Sequence, residues 1–287
     1  MQMIETNLGR LRVERHGAHA GPTIVGWPSL FCDASTMRPL VKELAHDHQV
    51  VLIDGPGHGG SSGPPRPFTL EACADAAFAV LDTLGVRKTA WIGSAWGGHV
   101  GVVAALRYPD RVSALVAMNA PMGSWTGRNR AMNWTLYWAF RLLNRPKVLA
   151  RLVASMMIAP QRLAAHPELA APILECMTQS ERRPFFAAVR SAMLERPSLL
   201  PNLKDLRLPT LFVVGSEDGV FTVDEAGRQA AMVSGAQFEV VRGTSHLSLW
   251  EAPDLVLPLL RQFVVDVSRK EPPDSPTRLV ETNPVTL

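Results

Sequence analysis

Short apolar runs rich in β-branched residues alternate along this chain with longer stretches whose apolar positions recur every three to four residues. TIVGW at 23–27, VVLID at 50–54, TAWIG at 89–93, ALVAMN at 114–119, TLFVVG at 210–215 and FEVV at 238–241 read as strands. MIET and LRVER, on either side of Asn7-Leu8-Gly9, read as an opening hairpin. Between strands, Thr69 is placed to cap a helix whose apolar face holds Cys73, Ala76, Ala77, Val80, Leu81 and Leu84, and Gly85 stops it. Strands alternating with helices predict an α/β fold: a mostly parallel, doubly wound sheet with helices on both faces.

The alternation breaks after Pro121. Residues 122–201 carry no strand pattern and read instead as helices punctuated by Pro146, Pro160, Pro167, Pro172, Pro184 and Pro197. This predicts a core in two parts, 1–121 and 202–267, with an inserted helical cap at 122–201. Aromatic and methionine side chains concentrate in the insert. Most serve its own core, while Trp125, Tyr137, Trp138 and Met156 are expected to face the main domain and bind substrate. From 268 to 287 the composition turns polar and proline-rich, which predicts a flexible tail.

Composition narrows the class. Of 287 residues, 47% are hydrophobic and 19% charged, enough apolar surface for one large core. The net charge of +3 is spread along the chain without a basic block, which argues against a nucleic-acid partner. Cys32, Cys73 and Cys176 are odd in number and far apart, so neither a disulfide framework nor a zinc knuckle is expected. The N-terminus has an acid at Glu5 and no apolar run, and glycines and His99 interrupt the charge-free stretch 89–106; neither a secretory signal nor a membrane span is expected. A cytoplasmic protein is expected, with a homodimer left open.

The chemistry concentrates at WIGSAWGGHV, 91–100. Gly93-Ser94-Ala95-Trp96-Gly97 matches the strand-to-helix turn G-x-S-x-G except at its centre, where serine is replaced by Ala95. The glycines are needed because a side chain two residues before or after the apex collides where strand and helix approach, and the apex backbone is strained. Asp218 comes after the next-to-last strand and His246 after the last. Attacker position, acid, then histidine, in that order and each at the C-terminal end of a strand on one edge of an open parallel sheet, is a specific combination.

Over residues 1 to about 267 the chain resembles the α/β-hydrolase superfamily with a helical cap. PSLFCDASTM at 28–37 is similar to the corresponding loop of 3-oxoadipate enol-lactonases and related ester and lactone hydrolases, with Pro28-Ser29 where His-Gly is usual. The resemblance implies that the backbone N–H groups of Leu30 and Trp96 form an oxyanion hole, that His58 in DGPGHGGSSGP is structural, and that neither metal nor organic cofactor is needed. The implied substrate is a small apolar ester or lactone.

Ala95 cannot attack a carbonyl. The favoured reading is a hydrolase with serine at 95 in its natural form, represented here by an engineered, nucleophile-deleted chain in which His246 and Asp218 keep their roles as base and orienting acid. Three others stay open: an Asp-nucleophile enzyme of the epoxide hydrolase or dehalogenase type; attack by Ser94, Cys32 or a water activated by His246; and a catalytically silent relative that binds a small apolar ligand. His46-Asp47-His48 reads as a solvated turn, His99 as a packing or capping residue, and the arginines of the insert as a solvated face.

Overall fold

The structure, a computed structural model, describes residues 1–18 and 21–270. The chain opens with an antiparallel hairpin, β1 (Gln2–Thr6) and β2 (Gly9–Gly17). β3 (Thr23–Trp27), β4 (Gln49–Ile53), β5 (Thr89–Ser94), β6 (Val112–Met118), β7 (Thr210–Gly215) and β8 (Gln237–Val241) complete one eight-stranded sheet in the order β1-β2-β4-β3-β5-β6-β7-β8. Only the β1–β2 and β2–β4 pairings are antiparallel. Every residue of β3, β4 and β7 is buried, which is why these strands read as unbroken apolar runs: both faces of the sheet are covered.

α1 (Pro39–Leu44) covers one face together with a long C-terminal helix, while α2 (Leu70–Thr83) and α3 (Trp96–Arg107) cover the other. α2 starts at Thr69, whose hydroxyl accepts from the Ala72 N–H, and the chain leaves it through Gly85 at φ 71°. Between β6 and β7 the chain forms helices joined by loops, with no strand among the described residues: α4 (Gly127–Leu142), α5 (Lys147–Met157), α6 (Pro160–Ala165), a 3-10 turn at Pro167–Ala170, α7 (Ala171–Gln179), α8 (Arg182–Val189), which runs on into one π turn at Arg190–Leu194, and α9 (Leu200–Leu203). α10 (Val223–Ala230), the short α11 (Ser248–Glu251) and α12 (Pro253–Lys270) complete the chain's helices among the described residues. No helix among those residues is long and apolar enough to cross a membrane.

Arg196 closes the base of the insert. Its buried guanidinium donates to the carbonyls of Pro121, Met122, Gly123 and Pro197, so the entry and exit segments are clamped by one side chain. Burial lowers its pKa to about 10.

Some expected boundaries move. β6 ends at Met118 because Asn119 takes a left-handed φ of 50°, which no strand tolerates. β4 stops before Asp54, whose carboxylate accepts from the Ala34 and Gly60 N–H groups at 2.7 and 2.8 Å. α12 continues to Lys270, so residues 268–270 are helical rather than the start of a tail; residues 271–287 lie outside the described part of the chain.

Candidate functional site

The turn from β5 into α3 is as tight as its glycines suggest. A Cβ on Gly93 would sit 2.1 Å from the Gly97 carbonyl group, and one on Gly97 would sit 2.1 Å from the Trp27 carbonyl oxygen, far inside van der Waals contact. At the apex, Ala95 holds φ 45° and ψ −100° while its N–H donates to Met118 O at 2.7 Å. For a residue with a Cβ this conformation costs of order 1–3 kcal/mol and persists only because the surrounding packing imposes it.

His246 and Asp218 sit on separate loops, one beyond β8 and the other beyond β7, and the two loops bring their side chains together. His246 Nδ1 is 2.9 Å from Asp218 Oδ2. Three further donors reach the same carboxylate: Asn119 Nδ2 at 3.0 Å to Oδ2, and the Val220 and Phe221 N–H groups at 2.8 and 3.0 Å to Oδ1. Burial pushes the Asp218 carboxyl up, but the charge and hydrogen bond of His246 and the bonds from Asn119 and Phe221 outweigh it and hold the group below its ordinary value. An ionised carboxylate only accepts, so Nδ1 of His246 carries the proton and Nε2 is left as the basic nitrogen.

Asn119 does more than touch the acid. Nδ2 also donates to Ser245 O at 2.9 Å, and Oδ1 accepts from the Ser248 hydroxyl at 2.7 Å, so one side chain spans the Asp218 and His246 loops. Glu251 fixes the histidine loop from the other side: its carboxylate accepts from the Ser245, Leu247 and Ala159 N–H groups. Burial raises the Glu251 carboxyl even against those three donors. Through Ala159, and through His246 N donating to Met157 O at 3.0 Å, the C-terminal end of α5 is fastened to the histidine loop. The sequence expectations give Asn119, Ser248 and Glu251 no role at the site. The available signal was Asn119 itself, since asparagine closing an apolar run is the residue most ready to turn left-handed.

Ala95, His246, Leu30 and Trp96 line one cavity of about 240 Å³, roofed by the insert. Of the expected substrate-facing residues, Trp125, Tyr137 and Met156 line it as well. Trp138 does not. It sits one position round α4 from Tyr137, meets that ring edge-on at 5.3 Å and stays half exposed on the outside. The remaining walls are mainly methionine, phenylalanine and branched aliphatic side chains, with Ser29, Asn129, Asn133, His99 and Arg196 supplying the other polar groups.

The loop after β3 reaches the cavity with Phe31 at φ 69°, a left-handed conformation uncommon for a bulky side chain. Neither the Leu30 nor the Trp96 amide donates to a backbone carbonyl among the described residues. Trp96 is the first residue of α3, where N–H groups have no intrahelical partner and the helix dipole favours an anion.

The alternative attackers are placed poorly. Ser94 is absent from the cavity lining, and the Cys32 thiol is wholly buried, which pushes its pKa well up and keeps it protonated. His58 is buried between Trp96 and Phe185, and burial lowers it to about 4. His99 Nε2 lies 2.9 Å from Pro121 O, and His48 pairs with Asp47. No group of three or more potential metal ligands forms among the described residues.

Known proteins share this architecture. The family described as "alpha/beta hydrolase fold" matches residues 22–253. A 2-hydroxy-6-oxononadienedioate/2-hydroxy-6-oxononatrienedioate hydrolase of Klebsiella pneumoniae is 26% identical, covering 87% of this chain and 85% of its own. 3-Oxoadipate enol-lactonase 1 of Acinetobacter baylyi is also 26% identical, covering 92% and 97%. Among solved structures, an esterase from Thermogutta terrifontis superposes with a TM-score of 0.84 at 24% identity over 93% of this chain and 98% of its own. An enol-lactonase from Burkholderia xenovorans gives 0.85 at 22% over 92% and 100%. With a match that spans most of its length and a sheet of the same architecture, this chain belongs to the α/β-hydrolase fold family.

Proposed function

We propose that this chain carries the substrate cavity and proton-transfer machinery of a carboxylic ester or lactone hydrolase, with the attacking hydroxyl replaced by the Ala95 methyl. The carrying observation is the coexistence, on one cavity, of a strained apex at residue 95 and a buried imidazole held by a four-donor carboxylate. Strain of this kind clusters at sites where a side chain is presented, which favours a catalytic cavity over one that merely shelters an apolar ligand.

With serine at 95, its Oγ attacks the acyl carbon while His246 Nε2 accepts the proton. Asp218 stabilises the imidazolium, and the Leu30 and Trp96 N–H groups receive the developing oxyanion. The imidazolium then returns the proton to the leaving alkoxide, and water, activated by the same nitrogen, releases the acid. A relative named as an enol-lactonase is in keeping with an acyl carbon as the reacting atom. The apolar walls favour an ester or lactone with a hydrophobic portion. Three free, buried cysteines fit a reducing compartment such as the cytoplasm.

Ala95→Ser tests this. Losing the nucleophile of such a machine costs about 10⁶ in kcat, so the serine form should hydrolyse aryl esters or lactones at least about 10³-fold faster than the alanine form. A second reading, a silent ligand-binding relative, is favoured if the serine form stays at the buffer rate while both forms bind an apolar ester with equal affinity.

A further inference from the structure

The outer surface of the insert is unlike the rest of the molecule. Seven of the twelve exposed large apolar side chains among the described residues fall between positions 132 and 156. At the α4–α5 turn, Leu142, Leu143 and Val148 are 74, 64 and 66% exposed. Along α5, Val148, Leu152 and Met156 recur at i, i+4 and i+8, one stripe of that helix, with the exposed Lys147 and Arg151 on the neighbouring stripe. On α4, Trp138 and Leu142 are similarly spaced, four apart.

Charge singles out the same surface. Residues 111–167 contain no aspartate or glutamate. Arg128, Arg130, Lys147 and Arg151 are exposed and form no ion pair among the described residues. Elsewhere on the fold some cations are matched by a carboxylate, as Arg107 is by Asp75 and Arg261 by Asp47. Here they flank exposed leucine, valine and tryptophan with no carboxylate to neutralise them.

We infer that this face of the insert docks on an anionic phospholipid bilayer. Leu142, Leu143, Val148 and Leu152 would enter the headgroup boundary, Trp138 would lie at the interface, and the four cations would meet the phosphates. A second copy of the chain fits worse, since a symmetric contact through this face sets unpaired cations against the same cations. The site's own geometry gives the docking a purpose. Of the cavity-lining residues, Asn129, Met132 and Met156 on α4 and α5 are exposed, as is Gly219 on the loop beyond β7, so one side of the mouth is formed by the helices that would touch lipid. An apolar ligand could then pass from bilayer to cavity without crossing bulk water.

The test is co-sedimentation of the full chain with vesicles of phosphatidylglycerol and phosphatidylcholine in equal parts, against vesicles of phosphatidylcholine alone. Two double variants accompany it, K147E/R151E and L143S/V148S, each confined to exposed positions and checked for unchanged circular dichroism and Tm. The chain should bind the anionic vesicles, and each variant at least about tenfold more weakly. Adding about 0.5 M salt should weaken the unsubstituted chain but not K147E/R151E to the same extent. Absence of binding, equal binding to both compositions, or variants that bind as well as the parent would overturn the proposal. So would a dimer dispersed by L143S/V148S in a chain that ignores vesicles. Vesicle binding requires nothing of residue 95, so its failure and that of the hydrolase reading are separate results.

Discussion

Ala95 and Asn119 are the two residues where backbone and chemistry are most tightly joined, and both hold positive φ. At 95 the strained conformation is imposed on a residue with a Cβ but no functional group. Ala95→Gly should therefore stabilise the fold, by about 1 kcal/mol after the extra unfolded-state entropy of glycine is deducted; chemical denaturation measures it, and a loss of stability would mean the apex is unstrained. Asn119→Ala should do the opposite. It leaves Ser245 O and Ser248 Oγ only their mutual contact at 3.2 Å, takes one donor from Asp218 and forces alanine into a left-handed conformation, for a cost of about 2–4 kcal/mol. In an Ala95→Ser background the same change should lower kcat more than it raises KM, because the cavity walls are untouched. Trp138→Ser should leave ligand affinity within about twofold, whereas a truncation of Trp125, which lines the cavity, should not.

At the scale of elements, the site is a set of junctions at strand ends, where each strand gives way to a loop or helix. β5 and α3 close on β3 so tightly that Gly97→Ala drives a methyl into the Trp27 carbonyl at 2.1 Å. Backbone cannot yield as a side-chain tip can, so a destabilisation above about 3 kcal/mol is expected, read as a fall in the denaturation midpoint. These junctions were legible because local chemistry dictates them: the glycines at 93 and 97, the Thr69 cap and the apolar runs of β3 and β7 each act within a few residues. The insert was legible only as helical. On α4 the aromatic side chains at 134, 137, 138 and 140 occupy more than one face, and the rotation that chooses between Tyr137 and Trp138 is set by Phe186 of α8, which stacks edge-on against Tyr137 at 5.4 Å. No periodicity within α4 contains that information.

Across the whole molecule, Glu14, His58 and Asp54 contribute to the response to pH alongside His99, which burial also lowers, and the shifted Asp218 and Glu251 carboxyls. Glu14 is held at about 2, chiefly by the hydrogen bond from Arg38, against the opposing effect of burial and with help from His16 and Arg12. Its folded pKa lies below its unfolded one, so its stabilisation is complete above pH 4.5 and is lost as pH falls toward 2. His58, lowered by burial to about 4, also favours the folded state at higher pH and loses that contribution as pH falls from 6.5 through 4. Asp54 has the reverse sign: burial raises it to about 6, despite the Ala34 and Gly60 N–H groups and the Arg12 charge, so its contribution is full below 3.8 and is lost as pH rises through 6. His58 and Asp54 thus oppose one another between about pH 4 and 6. His58→Gln should make the slope of Tm against rising pH less positive across that window, and Glu14→Gln should flatten the slope below 4.5; a Tm profile unchanged by either substitution would contradict these assignments.

Short-range rules wrote one part of this protein into its residue order: the succession of strands and helices, the break into a helical insert, the tight turn at 93–97 and the placing of Asp218 and His246 at successive strand ends. Period, capping and the steric need for glycine operate between near neighbours, so they can be read locally. Packing settled the rest. It set Asn119 and Glu251 to bind the acid and histidine loops, made Arg196 the clamp of the insert, and turned Trp138 outward while Tyr137 faces in. Each of these depends on which groups, up to 129 positions apart along the chain in the bonded pairs, are left needing a hydrogen bond or an apolar neighbour once the sheet and its helices have come together; that demand exists only in the folded molecule.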